Sequence, residues 1–252
     1  MDLNGCVAAV TGGAGGLGAA VARQVAQAGG SVTILDLDDK GAALARNLGG
    51  RFLKLDVTDA AACAEALAEV AENGRLDLMV NCAGVAPAAR TVGRNGAHDP
   101  DLFARVVAIN LTGTFNCATA AAAIMAAQEG RGPDGERGVI VNTASVAAYE
   151  GQVGQIAYAA SKGGVAAMTL PMARDLASLG IRVVAVAPGL FLTPMLEGLP
   201  QEVQDSLGAQ VPYPARLGQP DEFAALVAHI AANPMLNGEV IRLDGAIRMG
   251  PR

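Results

Sequence analysis

The sequence predicts an α/β protein in which one doubly wound sheet of seven parallel strands is covered by helices on both faces. Short apolar runs alternate along the chain with longer stretches of helical periodicity. The short runs are continuously apolar rather than alternating, which is typical of strands buried on both faces. The chain is 52% hydrophobic but only 3% aromatic and lacks tryptophan, so small aliphatic side chains must build the core. Such side chains suit close packing of helices on a sheet.

Each predicted strand runs into glycine, aspartate, asparagine or serine, which are the residues that favour a turn. The predicted strands are CVAAVTG (6–12), SVTILDL (31–37), RFLKLDV (51–57), LDLMVNCAG (76–84), GVIVNTAS (138–145), IRVVAVAPG (181–189) and VIRLDGA (240–246). Helical patterns between them predict helices over 17–28, 60–73, 102–127, 156–179 and 220–232. This repetition of strand and helix predicts parallel pairing with right-handed crossovers. Because no linker or low-complexity tract divides the chain, we expect one domain over residues 1–252.

Three segments interrupt this regular order: 85–101, 129–138 and 190–219. In an open parallel sheet the ligand lies beyond the carboxyl ends of the strands. Segments 85–101 and 190–219 follow strand ends, so we predict that they cover a substrate. Segment 129–138 precedes a strand and should lie at the opposite edge.

Charge and cysteine content exclude several classes of function. The net charge of −6 and the pI near 4.9 disfavour binding to nucleic acid or to anionic membranes. Four separated cysteines without a CxxC motif indicate reduced thiols in a reducing compartment. His98 and His229 lack metal-ligand spacing, so no metal site is expected. The N-terminal stretch enters a strand almost at once, which leads us to expect no targeting segment and a cytoplasmic protein.

A glycine-rich stretch, TGGAGGLG (11–18), lies between the first strand and the first helix. Glycines there permit a tight turn and a close backbone approach, so that the amides of the helix N-terminus can face a pyrophosphate. In this position the motif predicts the dinucleotide site of a Rossmann domain. The residues predicted to bind the dinucleotide at this loop are Gly12, Gly16, Leu17 and Gly18.

Asp36 closes the second strand and favours NAD(H) over NADP(H). A carboxylate there can accept hydrogen bonds from both hydroxyls of the adenosine ribose and would repel a 2′-phosphate. No arginine or lysine occurs at 37–39. The alternative for Asp36 is a solvated turn or a helix cap.

Two further strand ends are candidates for the cofactor site. Asp56 and Val57 end the third strand and are assigned to the edge and the face of the adenine. Asn81, Ala83 and Gly84 belong to NCAG at the end of the fourth strand, where glycine lets the backbone pass near the cofactor. Ordinary turn chemistry is the alternative for both.

Tyr158 and Lys162 are spaced i, i+4 in YAASK, which places them on one face of a helix. A free phenol has too high a pKa to act as a base at neutral pH, and a nearby ammonium favours the phenolate. The pair is therefore predicted to exchange a proton with a carbinol or carbonyl oxygen while hydride moves to or from nicotinamide. A solvated lysine is the alternative, but the surrounding alanines and glycines disfavour it.

Ser145 and Asn110 are predicted to complete this machinery. Ser145 ends the fifth strand, where its hydroxyl can hydrogen-bond the reacting oxygen; the alternative, which the neighbouring Tyr158 and Lys162 disfavour, is a turn serine that caps the next segment. Asn110 lies in a helical stretch although asparagine is a poor helix former. It marks either a local kink satisfied by its own side chain or a carbonyl freed to hold a water that links Lys162 to solvent.

Together, TGGAGGLG, Asp36, NCAG, Asn110, Ser145, YAASK and the PG at 188–189 resemble the short-chain dehydrogenase/reductase superfamily over nearly the whole chain. The resemblance implies that Asn110, Ser145, Tyr158 and Lys162 form a catalytic tetrad. It also implies that Thr193 meets the nicotinamide carboxamide and that Pro188 and Gly189 line that ring.

A narrower resemblance lies in residues 142–164, 171–183, 187–195 and 236–249, which are similar to the type-II, short-chain 3-hydroxyacyl-CoA dehydrogenases, the family of type 10 17β-hydroxysteroid dehydrogenase. This resemblance implies NAD as cofactor, a 3-hydroxyacyl-CoA or 3-oxoacyl-CoA substrate and a homotetramer. It places Gln155 beside the substrate, together with Ser145 and Tyr158. NCAG departs from the common NNAG at Cys82, and Leu192 replaces a smaller residue.

Other functions remain open at this stage. The same scaffold serves alcohol, steroid and 3-oxoacyl-carrier-protein reductases, and the apolar segment around Leu190 would accept a steroid or an acyl chain. Asp36 disfavours the NADPH-dependent carrier-protein reductases. A non-catalytic NAD-binding scaffold is a further alternative, which the intact tetrad disfavours.

Overall fold

The computed structural model describes residues 1–94, 96–198 and 200–251. The predicted covering segments 85–101 and 190–219 each include one residue outside this description, Asn95 and Leu199. Seven strands form one parallel sheet in the order β3-β2-β1-β4-β7-β8-β9, which confirms the predicted fold class. These strands are β1 (Val7–Thr11), β2 (Ser31–Asp36), β3 (Arg51–Lys54), β4 (Leu78–Asn81), β7 (Gly138–Thr143), β8 (Ile181–Pro188) and β9 (Val240–Leu243). The strand order reverses between β1 and β4, and such a switch point is where open parallel sheets bind ligands.

Helices cover both faces of the sheet. They are α1 (Gly16–Gln27), α2 (Lys40–Asn47), α3 (Ala60–Val70), α4 (Pro100–Val107), α5 (Gly113–Ala127), α6 (Ile156–Leu176), α7 (Pro194–Glu197), α8 (Gln201–Gly208) and α9 (Pro220–Ala232). On one face α1 packs beside α9, and on the other α3 packs beside α5. Small side chains make this close packing possible, as in the cluster around Ala20, Ala22, Val227 and Ile230.

The predicted core elements form, but several local features differ from the prediction. The segment 85–101 contains a short hairpin of β5 (Val92–Gly93) and β6 (Gly96–Ala97), and the segment 190–219 contains α7 and α8. These elements are too short to show a clear hydrophobic period. The predicted helix 102–127 is continuous from Pro100 but includes a π-helical turn at Ala108–Thr112. The fourth strand ends at Asn81, because the rest of NCAG turns toward the site.

The segment 129–138 lies at the amino-terminal end of the strands, as predicted. The Arg75 side chain donates to the carbonyl of Glu129 at 3.0 Å, and the amino group of Met1 lies 3.0 Å from the carboxylate of Glu136. This end of the sheet is therefore opposite to the glycine loop and the tetrad.

The stretch Pro100–Ala127 is the one described helix that is long and apolar enough to cross a membrane by composition. Its α5 part instead places Cys117, Ala118, Ala121 and Met125 in the core against β7 and α3. A core helix of this length passes the same compositional test.

Candidate active site

The glycine loop packs tightly against the turn that follows β4. Gly12 has a φ of +62°, and a Cβ there would lie 2.7 Å from the amide nitrogen of Ala83. A Cβ on Gly18 would overlap the carbonyl oxygen of Gly12. Side chains are excluded at both positions, so the loop keeps the tight turn that the sequence predicts.

The amino terminus of α1 presents its free amides at the end of this loop. Gly15 is the N-cap residue, and within the described chain no side chain caps α1 and no acidic residue occupies its first turn. Gly16 has a φ of +52°, and its nearest neighbours would be Pro194 and Thr193, at 3.4 and 3.7 Å from a Cβ. An uncapped helix terminus beside a glycine cradle fits the pyrophosphate of a dinucleotide.

Asp36 lies between the glycine loop and the turn after β2. Its Oδ2 accepts a hydrogen bond from the Ala14 amide at 2.9 Å, and its Oδ1 accepts one from the Asp38 amide at 3.0 Å. A carboxylate has further lone pairs, so these bonds orient Asp36 without using up its capacity as an acceptor. The nearby cations are paired, Lys40 with Asp38 at 3.7 Å and Lys54 with Asp39 at 3.1 Å.

Thr11 holds the NCAG turn against the end of β1. Its hydroxyl oxygen accepts hydrogen bonds from the amides of Cys82 and Ala83 at 3.2 and 3.3 Å. The Asn81 side chain donates to the Asn142 side chain at 2.9 Å inside the sheet. The backbone at Gly84 passes the tetrad, since a Cβ there would lie 3.2 Å from Asn110 Oδ1 and 3.7 Å from Lys162 Nζ.

The adenine-site candidates lie just beyond β3 rather than inside it. Asp56 is exposed, and its carboxylate accepts from the amide and hydroxyl of Thr58 at 2.9 and 2.8 Å. Val57 is buried, and its carbonyl accepts from the Asn116 side chain at 3.0 Å. A polar edge next to an apolar face is what an adenine site needs.

Tyr158 and Lys162 share one face of α6, as their spacing predicts. The Lys162 ammonium lies 5.8 Å from the centroid of the Tyr158 ring, and its side chain is buried. Its Nζ donates to the carbonyl of Thr143 at 2.6 Å. One of its three N–H groups is thereby anchored, which leaves the other two for cofactor hydroxyls or water.

The pKa values of both residues are shifted, and the shift of Tyr158 is opposite to the predicted one. Burial raises the pKa of the Tyr158 phenol, while a hydrogen bond with the Ser145 hydroxyl acts in the opposite direction. Burial also lowers the pKa of Lys162 to about 8. The sequence predicted a lowered phenol pKa, but desolvation of the buried phenol acts in the opposite direction and is the larger effect.

Ser145 both caps a local turn and faces Tyr158. Its Oγ accepts from the Ala147 amide at 3.1 Å, at the start of the 3-10 helix Val146–Ala148. The same hydroxyl is hydrogen-bonded to the Tyr158 side chain. The cap is therefore present, its contact with Tyr158 is compatible with the catalytic interpretation, and the role of Ser145 toward the reacting oxygen stays a prediction.

Asn110 lies in the π-helical turn between α4 and α5 and is fully buried. Its side chain accepts from the Val85 amide at 2.8 Å and donates to the Val85 carbonyl at 2.9 Å. Its carbonyl accepts the Thr114 hydroxyl at 2.8 Å, which occupies one lone pair and leaves the second for a water. Single π turns of this kind are frequent at functional sites.

A cleft of about 640 Å³ opens between the segment 89–92 and the loop before α6. Gln155, the N-cap residue of α6, lines it together with Arg90, Val153, Ile156 and Pro251. Of the three predicted substrate-binding residues, only Gln155 belongs to this described lining. Ser145 is buried and Tyr158 is partly buried, and neither belongs to that lining.

The nicotinamide-side candidates lie at the end of β8 and the start of α7. Pro188 closes β8, and the Gly189 amide donates to the Leu243 carbonyl at 2.9 Å. Thr193 precedes α7, and its carbonyl accepts from the amides of Leu196 and Glu197. The structure brings these residues to the same side as the glycine loop, since Thr193 is a neighbour of Gly16.

Several contacts of the site were not predicted. Thr11 could have been suggested by its place at a strand end beside NCAG. The Thr143 carbonyl, which anchors Lys162, has no signature in the sequence because every residue carries one. Ser161, whose hydroxyl accepts from Asn110 Nδ2 at 3.1 Å and donates to the Tyr158 carbonyl at 2.7 Å, lies within YAASK but was not assigned.

Comparison with known proteins places this geometry in a family. The short chain dehydrogenase model matches residues 6–204. The chain is 51% identical to "3-hydroxyacyl-CoA dehydrogenase type-2" of Rattus norvegicus and 52% identical to that of Homo sapiens, over 99% of this chain and 98% of each relative. A crystal structure of "3-hydroxyacyl-CoA dehydrogenase type-2" from Mycobacterium avium superposes with a TM-score of 0.94 at 45% identity and 98% coverage of both chains. The chain therefore belongs to the short-chain dehydrogenase family of oxidoreductases.

Proposed function

We propose that the protein is an NAD-dependent dehydrogenase that interconverts 3-hydroxyacyl-CoA and 3-oxoacyl-CoA. The observation that carries the proposal is the convergence of Tyr158, Ser145 and Lys162 beside an uncapped glycine loop. The acyl-CoA class is supported by the names of relatives that are 51–52% identical over nearly their full length.

The choice of NAD over NADP is supported by the charges around Asp36. The carboxylate can accept from ribose hydroxyls, whereas a 2′-phosphate at the same place would meet negative charge. The lysines that could neutralise such a phosphate are paired with Asp38 and Asp39. The local field is therefore unfavourable to NADP.

A nicotinamide bound at this site would supply the hydride acceptor for oxidation of the carbinol carbon and the hydride donor for reduction of the carbonyl carbon. Tyr158 takes the hydroxyl proton in oxidation and donates a proton to the carbonyl oxygen in reduction. Ser145 donates a hydrogen bond to the same oxygen and stabilises the charge that develops on it. Lys162 relays the proton between the Tyr158 phenol and solvent. Asn110 fixes the backbone at Val85, close to the lysine.

The cleft at Gln155 is the proposed route for the thioester arm. Apolar side chains of Val153 and Ile156 suit an acyl or pantetheine chain, and Arg90 at the rim offers positive charge to a phosphate. Arg94 is exposed in the turn between β5 and β6 and is the second candidate for this role.

Comparison of one acyl group on different carriers tests this proposal. Acetoacetyl-CoA should be reduced with a higher kcat/KM than the same acyl group on N-acetylcysteamine, because the short thioester lacks the phosphates. Arg90→Ala should raise KM for acetoacetyl-CoA and leave the truncated substrate unaffected, while Arg131→Ala at the opposite end of the sheet is the matched control. Preferred turnover of a carrier-protein thioester, a steroid or a cyclic ketone would replace the acyl-CoA assignment.

Self-association is part of the proposal, as the homotetramer that the resemblance implies. Exposed apolar side chains on three helices support it, with Phe103 on α4 36% exposed, Phe115 on α5 50% exposed and Leu170 on α6 43% exposed. Light scattering should give the mass of four chains, and Phe115→Glu should reduce it. A monomeric wild-type protein would contradict this part of the proposal.

A further inference from the structure

A cluster of ion pairs joins the last strand to the loop that precedes α6. Arg242 on β9 donates to both carboxylate oxygens of Glu150 at 3.0 and 3.1 Å and to Asp244 at 2.7 Å. Arg248 makes longer contacts with Glu150 and Asp244, at 3.3 and 3.2 Å. The side chains of Arg242 and Glu150 are only 23% and 21% exposed. A bidentate pair that is partly removed from water is stronger than an exposed surface pair.

The titration of Glu150 agrees with this geometry. The hydrogen bonds from Arg242 hold the pKa of the Glu150 carboxyl below its usual range, and the Met249 amide and Arg248 add to the effect. The same contacts raise the pKa of Arg242. Both groups therefore stay charged over the pH range in which the enzyme would work.

Backbone contacts continue the connection along the C-terminal tail. The Met249 amide donates to Glu150 at 3.0 Å, and the Val153 amide donates to the carbonyl of Pro251 at 3.0 Å. The Gln152 side chain donates to the carbonyl of Gly250 at 3.2 Å. Residues 249–251 thus run beside the loop 149–155 and contact it at three points.

This loop separates the two residues that face the reacting oxygen. It begins just after the 3-10 helix that Ser145 caps, and it ends at Gln155, the N-cap residue of α6, three positions before Tyr158. Gln152, Val153 and Pro251 all line the cleft, so loop and tail form one wall of it. Glu150 and Arg242 do not line the cleft. They would affect it through the loop and the tail that they hold together.

The turn after β9 contains a non-glycine residue in the left-handed region of backbone conformation. Ala246 has a φ of +68°, a left-handed value that disfavours a residue with a Cβ. Its amide donates to Asp244 at 2.9 Å, and Arg242 donates to the Ile247 carbonyl at 3.0 Å. A Cβ on Gly189 would lie 2.8 Å from the Cβ of Asp244, so the turn abuts the nicotinamide side of the site. Strain of this kind persists where surrounding contacts over-determine it.

We infer that Glu150 and Arg242 are positioning residues of the active site, whose ion pair clamps the C-terminal tail against residues 149–155 and so sets the place of Gln155 and the cleft wall. The inference rests on the proposed function, because its kinetic readout uses the acyl substrate. Neither residue contacts the reacting atoms.

The test compares Glu150→Gln with Glu136→Gln in the full-length protein. Glu136 forms a similar, part-buried pair with Arg182 at 2.7 Å, but at the opposite end of the sheet. Glu150→Gln should raise KM for acetoacetyl-CoA roughly tenfold while kcat and KM for NADH change by less than about twofold. Glu136→Gln should lower thermal stability without changing either KM. Arg242→Lys keeps the charge but loses the two parallel bonds, so it should shift the same KM in the same direction by less.

Amide hydrogen exchange gives a second readout that needs no turnover. Glu150→Gln should accelerate exchange at the amides of Val153 and Gln155, and Glu136→Gln should not. A stability loss in Glu150→Gln with unchanged acyl-substrate KM, or unchanged exchange at these amides, would overturn the inference. If the wild-type enzyme does not turn over acyl-CoA, the proposed function fails, whereas the exchange experiment still decides whether the clamp exists.

Discussion

The ammonium of Lys162 donates a hydrogen bond to the backbone carbonyl of Thr143 at 2.6 Å and is removed from solvent. Strand β7 thus orients the lysine of α6. The dipole of the Thr143 carbonyl partly replaces the hydration that the ammonium loses on burial. The replacement is incomplete, since the pKa of Lys162 falls to about 8. The site therefore keeps a lysine that is easier to deprotonate than an exposed one.

This burial predicts a pH-dependent contribution of Lys162 to stability. The pKa is about 8 in the folded protein against 10.5 for a free lysine side chain, so between these pH values the unfolded chain binds more protons. The free energy of unfolding of the wild type should therefore rise with pH in that window, by on the order of 3 kcal/mol in total from this group. Lys162→Met should lack this rise. Denaturant titrations of both proteins at pH 8 and pH 10.5 measure it, and an unchanged difference would contradict the burial effect.

Removal of the Ser145 hydroxyl should impair chemistry more than folding. Ser145→Ala loses a donor to the reacting oxygen, and we expect kcat to fall by about 10²- to 10³-fold. Because the Ser145 hydrogen bond lowers the pKa of Tyr158, the rise of the oxidation rate with pH should also move to higher pH. Thr169→Val is the control, since among the described residues the Thr169 hydroxyl bonds the Val165 carbonyl on its own helix, away from Ser145 and Tyr158. Equal losses of kcat in the two variants would exclude the catalytic role of Ser145.

Asp36 should decide between the two nicotinamide cofactors. Asp36→Ala removes the acceptor for the ribose hydroxyls and the repulsion of a 2′-phosphate, so the ratio of kcat/KM for NADH to that for NADPH should fall about tenfold or more. Asp38→Ala is the comparison, because Asp38 is an exposed neighbour paired with Lys40. Parallel initial rates with both cofactors give the ratio, and an unchanged ratio in Asp36→Ala would remove Asp36 from the cofactor site.

A methyl group on Gly18 should disrupt the cofactor cradle. It would overlap the Gly12 carbonyl oxygen, so Gly18→Ala should lower the free energy of unfolding by about 1–3 kcal/mol and weaken NADH binding. Gly93→Ala should be nearly neutral, because no atom of the described residues lies within 4 Å of a Cβ at Gly93. Thermal unfolding with and without NADH measures both effects. Full NADH affinity in Gly18→Ala would show that the loop does not bind the cofactor.

Much of this architecture could be predicted because its signals are local. The continuous apolar run VAAVT predicts β1, and the i, i+4 spacing predicts that Tyr158 and Lys162 share a face. The roles of the individual site residues and the single-domain organisation stay predictions. Sequence spacing describes proximity but not desolvation, which is why the expected pKa shift of Tyr158 had the wrong sign.

Contacts between residues that are distant in the sequence could not be predicted. The bonds of Asn110 with both polar groups of Val85 depend on how a π turn meets the chain after NCAG. The ion pair between Glu150 and Arg242 joins residues 92 positions apart, and no spacing within the sequence indicates that the two meet. Such contacts follow from packing of complete elements rather than from a local pattern.

The most direct test of the central claim follows the absorbance of NADH during reduction of acetoacetyl-CoA, with wild type and Tyr158→Phe in parallel. We predict rapid NADH oxidation by the wild type, much slower reaction with NADPH, and a loss of at least about 10²-fold in kcat in Tyr158→Phe, because the phenol that donates the proton is gone. Retention of NADH binding by the variant would show that its site is otherwise intact. Wild-type turnover that is absent with both cofactors, or that survives in Tyr158→Phe, would contradict the account.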